Sequence, residues 1–71
     1  MDAMATVEEI GTAAGIVWRF LRAEGPATLT STERSVSLPR SLVSMALGWL
    51  AREGKLVVEI GERSVHYSVT D

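Results

Sequence analysis

The chain has 71 residues, a formal net charge of −2 and no cysteine, which predicts one domain over residues 1–71 and excludes disulfides and thiolate metal sites. A single histidine is too few for a histidine-based metal site, and no apolar run approaches the roughly 20 residues of a membrane span. Residues 1–5 are expected to be a disordered lead-in without the features of a secretory signal, which favours the cytoplasm. Small domains of this kind are marginally stable and often gain stability from disulfides, metal sites or self-association. With the first two excluded, self-association is the one expected here.

The first predicted element is a helix that begins with a capping box at Thr6 and Glu9 and ends at Gly25-Pro26. Apolar residues recur at helical spacing along it, namely Ile10, Ala14, Val17 and Leu21. Three small residues allow another backbone to come close, either within the domain or from a second subunit: Gly11, Ala14 and Gly15.

The middle of the chain carries weaker signals. Residues 27–29 favour a β conformation and form a candidate short edge strand. Residues 30–33 repeat the capping-box pattern, with Thr30 in the capping position, and predict a short helix from Ser31 to about Val36. A turn is expected at 37–39, because the residue before Pro39 resists helical angles.

The best-defined helical pattern is Pro39–Gly54, which has a proline suited to a first turn and a glycine suited to the residue after a helix end. Its apolar residues cover an arc of about 200°, whereas one packed face needs only a little over about 100°. We assign four of them to the core of the domain: Val43, Ala46, Leu47 and Leu50. The remaining apolar residues therefore form a second face.

The C-terminal part alternates in the manner of two strands, from Lys55 to Ile60 and from Val65 onward, joined by a turn at 61–64. Such a hairpin is marginally stable alone and must lie against the helices. The side chains expected to face inward are Leu56, Val58, Tyr67 and Val69. His66 falls on the outward face and is interpreted as a surface residue. The order of elements predicts an α+β winged helix-turn-helix, with three helices and a β-hairpin wing.

Two segments resemble a known protein family more closely than the order of elements alone does. They are GTAAGIVWRFL at 11–21 and MALGWLAREGKLVVE at 45–59. Their signature is AG-x-x-W, here Ala14-Gly15 with Trp18, and ALGWLARE, here residues 46–53. Together they resemble a small stand-alone bacterial and archaeal winged helix-turn-helix family of unassigned function. The resemblance implies the fold, a tendency to homodimerise and no established activity. The second helix departs from the expected leucine and alanine pattern, with Thr32, Ser35 and Ser37.

The first functional hypothesis is a protein interface on the third helix, most simply a two-fold self-contact. Its residues are large and apolar and lie outside the assigned core: Leu42, Met45 and Trp49. Trp and Met are enriched at interfaces, and one Trp anchor can dominate the binding energy. The competing interpretation is that Trp49 packs under the wing or onto the first helix of its own chain.

The second hypothesis is DNA binding, because this helix enters the major groove in DNA-reading winged helices. The candidate contacts are Arg34, Arg40, Ser44, Lys55 and Arg63. The competing interpretation is solvated surface charge, since four glutamates lie close by in sequence: Glu33, Glu53, Glu59 and Glu62.

An enzyme is not indicated, because the sequence shows no nucleophile–base pair and no glycine-rich phosphate loop. No catalytic, cofactor, metal or small-molecule site is predicted. The expected function is a homodimerising assembly or regulatory module with weak or no DNA binding of its own, linked to transcription by fold analogy. The alternative is a conventional DNA-binding regulator that uses the third helix and the wing.

Overall fold

A computed structural model describes residues 6–70 of the chain. The described part contains three helices followed by an antiparallel hairpin. The elements are α1 (Val7–Glu24), α2 (Leu29–Val36), α3 (Arg40–Arg52), β1 (Leu56–Ile60) and β2 (Val65–Val69). The expected lead-in at residues 1–5 lies outside the described residues.

Helix α1 begins as the sequence predicts. The Glu9 backbone N–H donates to Thr6 Oγ1 over 3.1 Å, and the Thr6 N–H donates to Glu9 Oε1 over 2.8 Å, which completes the capping box. The helix ends where Gly25 donates its N–H to the Leu21 carbonyl, and the following Gly25–Pro26 peptide bond is cis. Both helix ends are therefore set by residues next to them in sequence.

Helix α2 begins two residues earlier than predicted, so the assignments of Ser31 as its start and Thr30 as its cap are wrong. The N-cap is Thr28, which has an extended backbone and accepts a hydrogen bond from the Ser31 N–H at 3.1 Å. The capping-box pattern at Thr30 is also consistent with an ordinary helical position, and local spacing alone does not separate the two.

The candidate third strand is reduced to one residue. Ala27 exchanges both backbone hydrogen bonds with Tyr67, at 2.9 and 2.7 Å, in an isolated bridge on one side of β2. The chain then turns directly into α2, because Thr28 caps that helix and Leu29 is its first residue. This bridge fixes the beginning of α2 against the hairpin.

Helix α3 packs mainly against α1 and supplies the four core residues assigned from the sequence. Its end is formed as predicted, with Gly54 at φ 74° and the Lys55 N–H donating to the Leu50 carbonyl over 2.9 Å. The core also contains five buried residues from α1 and the bridge, namely Ala13, Ala14, Val17, Leu21 and Ala27.

The hairpin pairs Leu56 with Val69 and continues in register to Ile60 with Val65. Three of the four residues predicted to face inward pack against the core: Leu56, Tyr67 and Val69. The prediction for Val58 is wrong, because its side chain is 45% exposed. Only the base of the hairpin lies against the helices. Side chains farther along the hairpin still alternate between its two faces, but no helix covers the inner face there. The result is a winged helix-turn-helix in which the wing exposes apolar residues.

Candidate functional site

The solvent-facing side of α3 consists mostly of small side chains. Its exposed residues are Arg40, Ser41, Ser44, Met45, Gly48, Ala51 and Arg52. Base edges in the major groove are usually read by long or hydrogen-bonding side chains such as Arg, Lys, Asn and Gln. Two arginines lie at opposite ends of this face, and the stretch between them presents two serines and otherwise apolar or small residues.

An open groove of about 480 Å³ lies between the beginning of α1 and the exposed side of α3. We call it the α1–α3 groove, and its lining residues are Ile10, Met45, Gly48, Trp49, Arg52 and Glu53. Met45, one of these lining residues, is 40% exposed. The groove is therefore largely apolar, with one cation and one carboxylate at the C-terminal end of α3.

Trp49 is half-buried, and its ring lies over Gly11 of α1. A Cβ added at Gly11 would lie 3.4 Å from Cζ2 of the indole, at ordinary contact distance. The indole therefore packs closely on the Gly11 backbone, with room for no more than a methyl group between them. Trp49 contributes both to its own domain and to the wall of the α1–α3 groove.

Leu42 lies apart from the other two predicted interface residues. It is half-buried against the core and lines a different groove, together with Ile16 and Leu38. Met45 and Trp49 are brought together on one surface, whereas Leu42 is on another. Positions three, four and seven apart share one side of a helix, so the separation is along the axis, where Leu42 lies roughly 10 Å from Trp49.

The candidate DNA contacts are spread over α2, α3, the connection between α3 and β1, and the turn of the wing. Arg40 Nη1 lies 3.2 Å from Glu33 Oε1 and Lys55 Nζ lies 3.8 Å from Glu53 Oε1, so both cations have carboxylate partners. Arg34, Ser44 and Arg63 are exposed, at the end of α2, in the middle of α3 and in the turn of the wing. These side chains are not assembled into one uninterrupted basic patch.

A family model described as a winged helix-turn-helix domain (DUF2582) matches residues 1–69. The chain belongs to the DUF2582 winged helix-turn-helix family. A solved structure similar to this chain is the solution NMR structure of protein BT2368 from Bacteroides thetaiotaomicron, with a TM-score of 0.79 and 32% sequence identity. That match covers 84% of this chain and 73% of BT2368. A comparison with curated proteins found no match.

The two signature segments of this DUF2582 chain meet in space. Ala14 of the first is buried in the core, and Trp49 of the second lies over Gly11. Trp18 is half-buried against the core, with the Arg22 guanidinium carbon 5.3 Å from the centre of its ring. The signature therefore describes the packing between α1 and α3, which also forms the groove.

Four lining residues of the groove were not among the predicted site residues: Ile10, Gly48, Arg52 and Glu53. In the sequence, Ile10 is one of the apolar residues that recur at helical spacing along α1, which predicts a core position. Its place at the groove depends on the way α1 crosses α3. No helix within 6–70 is long and apolar enough to cross a membrane, and the same residues contain no cluster suited to a metal ion.

Proposed function

We propose that this DUF2582 protein is a non-enzymatic, cytoplasmic winged-helix module that homodimerises through the α1–α3 groove. Its role is that of an assembly or regulatory protein linked to transcription, with weak or no DNA binding of its own. The link to transcription rests on the fold, which also serves other purposes. Met45 and Trp49 are the central contacts, while Leu42 belongs to a separate groove and is secondary.

The observation that carries this proposal is the exposure of Met45 beside a half-buried Trp49 on the helix that would otherwise read DNA. A flexible thioether next to an aromatic wall is a surface on which a protein partner gains buried apolar area. Burial of the exposed parts of both side chains contributes roughly 25 cal/mol per Å² of apolar surface. A phosphate backbone gains nothing from the same residues.

A second copy of the chain is the occupant that the groove favours. Arg52 and Glu53 stand side by side at its end, and a two-fold axis allows the cation of each copy to meet the carboxylate of the other. Gly48 has no atom within 4 Å of a Cβ built on it, so a neighbouring helix has room to approach α3 closely. A dimer would also add buried apolar area to a small core.

The test is the molecular mass in solution across a dilution series, for the unmodified chain and for Met45→Glu. We expect the unmodified chain to be dimeric at high concentration. Met45→Glu should stay folded and should be monomeric at dilutions where the unmodified chain is still dimeric, because a partner would bury an unpaired carboxylate while the monomer leaves it in water. Circular dichroism and urea unfolding at low concentration check that the variant is folded.

Val7→Glu is the matched control, since Val7 is 69% exposed and does not line the groove. This variant carries the same added charge and should dimerise normally. The proposal is wrong if Met45→Glu keeps the mass of the unmodified chain, or if the unmodified chain stays monomeric when concentrated. Trp49→Ala is a poorer probe, because removal of the indole also leaves a void over Gly11.

A further inference from the structure

Strand β1 has a free outer edge. The Thr70 N–H donates to the Lys55 carbonyl over 2.9 Å, and the Gly61 N–H donates to the Ser64 carbonyl over 2.8 Å. Hydrogen-bonded pairs alternate along an antiparallel ladder, so the odd-numbered residues of β1 bond to β2. The N–H and C=O groups of the even-numbered residues point away from β2: Leu56, Val58 and Ile60. No backbone group within residues 6–70 pairs with them.

The side chains of this strand are also exposed. Val57 is 38% exposed, Val58 is 45% exposed and Ile60 is 80% exposed. The register from Leu56 to Ile60 runs without a bulge, and the strand contains no proline. Natural edge strands are commonly protected by such features, by short length or by inward charges. An apolar edge without a bulge or proline is a template for another strand.

We propose that β1 pairs antiparallel with β1 of a second copy, with Val57 opposite Val57 at the two-fold axis. This register places Leu56 opposite Val58 in hydrogen-bonded pairs, which uses the free groups of both residues. It also places Lys55 opposite Glu59 twice, once on each side of the axis. Opposite charges and β-branched pairs across strands are both stabilising, and no like charges face each other within Lys55–Glu59.

The alternative symmetric register, centred on Val58, also engages the free groups of Ile60 by pairing it with Leu56, but it loses both charge pairs. It would place Glu59 opposite Val57 and leave Lys55 opposite Gly61. The charge pattern of the strand is therefore the feature that points to a second copy of the chain and to the register centred on Val57. This surface consists of residues other than those of the α1–α3 groove, so the strand contact goes beyond the proposed groove contact.

Two five-residue strands bury less than the roughly 1,000 Å² expected of a stable interface, so the contact should be measured at high protein concentration. The chain has no cysteine, which makes a single introduced thiol unambiguous. Val57→Cys should form a crosslinked dimer under mild oxidation, because the two Cα atoms of a non-hydrogen-bonded pair lie about 4.5 Å apart.

Ser68→Cys is the matched control, because Ser68 is the partner of Val57 on β2 and faces the same side. In the proposed four-stranded sheet its two copies are three strand spacings apart, about 14 Å. We expect Val57→Cys to crosslink at least about tenfold faster than Ser68→Cys, given the distance that a disulfide can span. Equal rates for the two variants, or no crosslinking of either, would overturn the strand contact.

A charge exchange tests the register. In the Val57→Cys background, Lys55→Glu or Glu59→Lys alone places like charges opposite each other at both pairs, and should slow crosslinking about tenfold. An equimolar mixture of the two variants restores opposite charges at both pairs and should recover the rate through mixed dimers. A mixture that is no faster than either variant alone rules out the register centred on Val57.

The unmodified chain provides an independent readout through amide hydrogen exchange. The amides of Leu56 and Val58 should be unprotected in dilute solution and should gain at least about tenfold protection as the concentration rises, because strand pairing alone engages them. The Val57 and Glu59 amides, which belong to the intramolecular ladder, serve as the internal reference. Protection of Leu56 and Val58 that does not change with concentration would contradict the proposal.

Discussion

Ser37 and Gly54 occupy the same kind of backbone conformation at the ends of two helices. Ser37 has φ 58° and ψ 40°, and Gly54 has φ 74°. Residues with a Cβ pay a steric cost of roughly 1–2 kcal/mol in the left-handed region, which glycine avoids. One helix end of this protein therefore has the favourable residue and the other does not.

The first residue-scale prediction follows from this difference. Ser37→Gly should raise the free energy of unfolding by roughly 0.5–1 kcal/mol, because the relief of left-handed strain exceeds the entropy cost of a new glycine. Gly54→Ala should lower it by roughly 1 kcal/mol, although a Cβ there meets nothing within 4 Å. Urea unfolding of both variants measures the effect, and a Ser37→Gly variant less stable than the unmodified chain would refute it.

At the scale of elements, α2 shows how a polar sequence forms a packed helix. Thr32 is fully buried, and its hydroxyl donates to the Thr28 carbonyl over 2.8 Å. The same carbonyl also accepts the Thr32 backbone N–H at 2.9 Å. A buried hydroxyl that bonds within its own helix adds no unsatisfied group to the core. This explains why threonine fits where leucine or alanine was expected.

The two threonines near the start of α2 give an element-scale prediction. Thr28→Ala should lower the free energy of unfolding by about 1 kcal/mol, because it removes the side-chain oxygen that accepts the Ser31 N–H. Thr30→Ala should be neutral or slightly stabilising, because Thr30 is an exposed helical residue and alanine has the higher helix propensity. Thermal unfolding of the two variants compares them directly; a larger loss for Thr30→Ala would place the cap at Thr30 instead.

At the scale of the whole molecule, the net charge of −2 arises from seven basic and nine acidic residues, and some of the cations lie beside carboxylates. Arg40 with Glu33 and Lys55 with Glu53 are exposed pairs of this kind. Each pair is worth little to stability. The ion pairs matter more for DNA binding, because a cation that already faces a carboxylate is less available to a phosphate.

We therefore predict that binding to random duplex DNA is weaker than roughly 0.1 mM at physiological salt. The double variant Arg40→Ala with Arg63→Ala should change this binding little. Fluorescence anisotropy over a salt series measures both proteins. Micromolar affinity at low salt that collapses with added salt, and with the double variant, would instead favour the conventional DNA-binding regulator.

Local signals account for what the sequence predicted well. The ends of α1 depend on Thr6, Glu9 and Gly25, and the end of α3 depends on Gly54; each acts on backbone groups within a few residues of itself. The four core residues of α3 follow from helical periodicity for the same reason. The family and the winged-helix fold follow from the order of these elements and the two signature segments.

The tertiary structure decided the features that depend on residues far apart in sequence. Only the crossing of α1 over α3 shows that Trp49 lies on Gly11 and that Ile10 joins Met45 in one groove. Only the reach of the helices beneath the wing shows that Val58 is exposed while Leu56 is covered. The physical reason is that periodicity reports which side a residue faces, whereas burial depends on whether another element is present on that side.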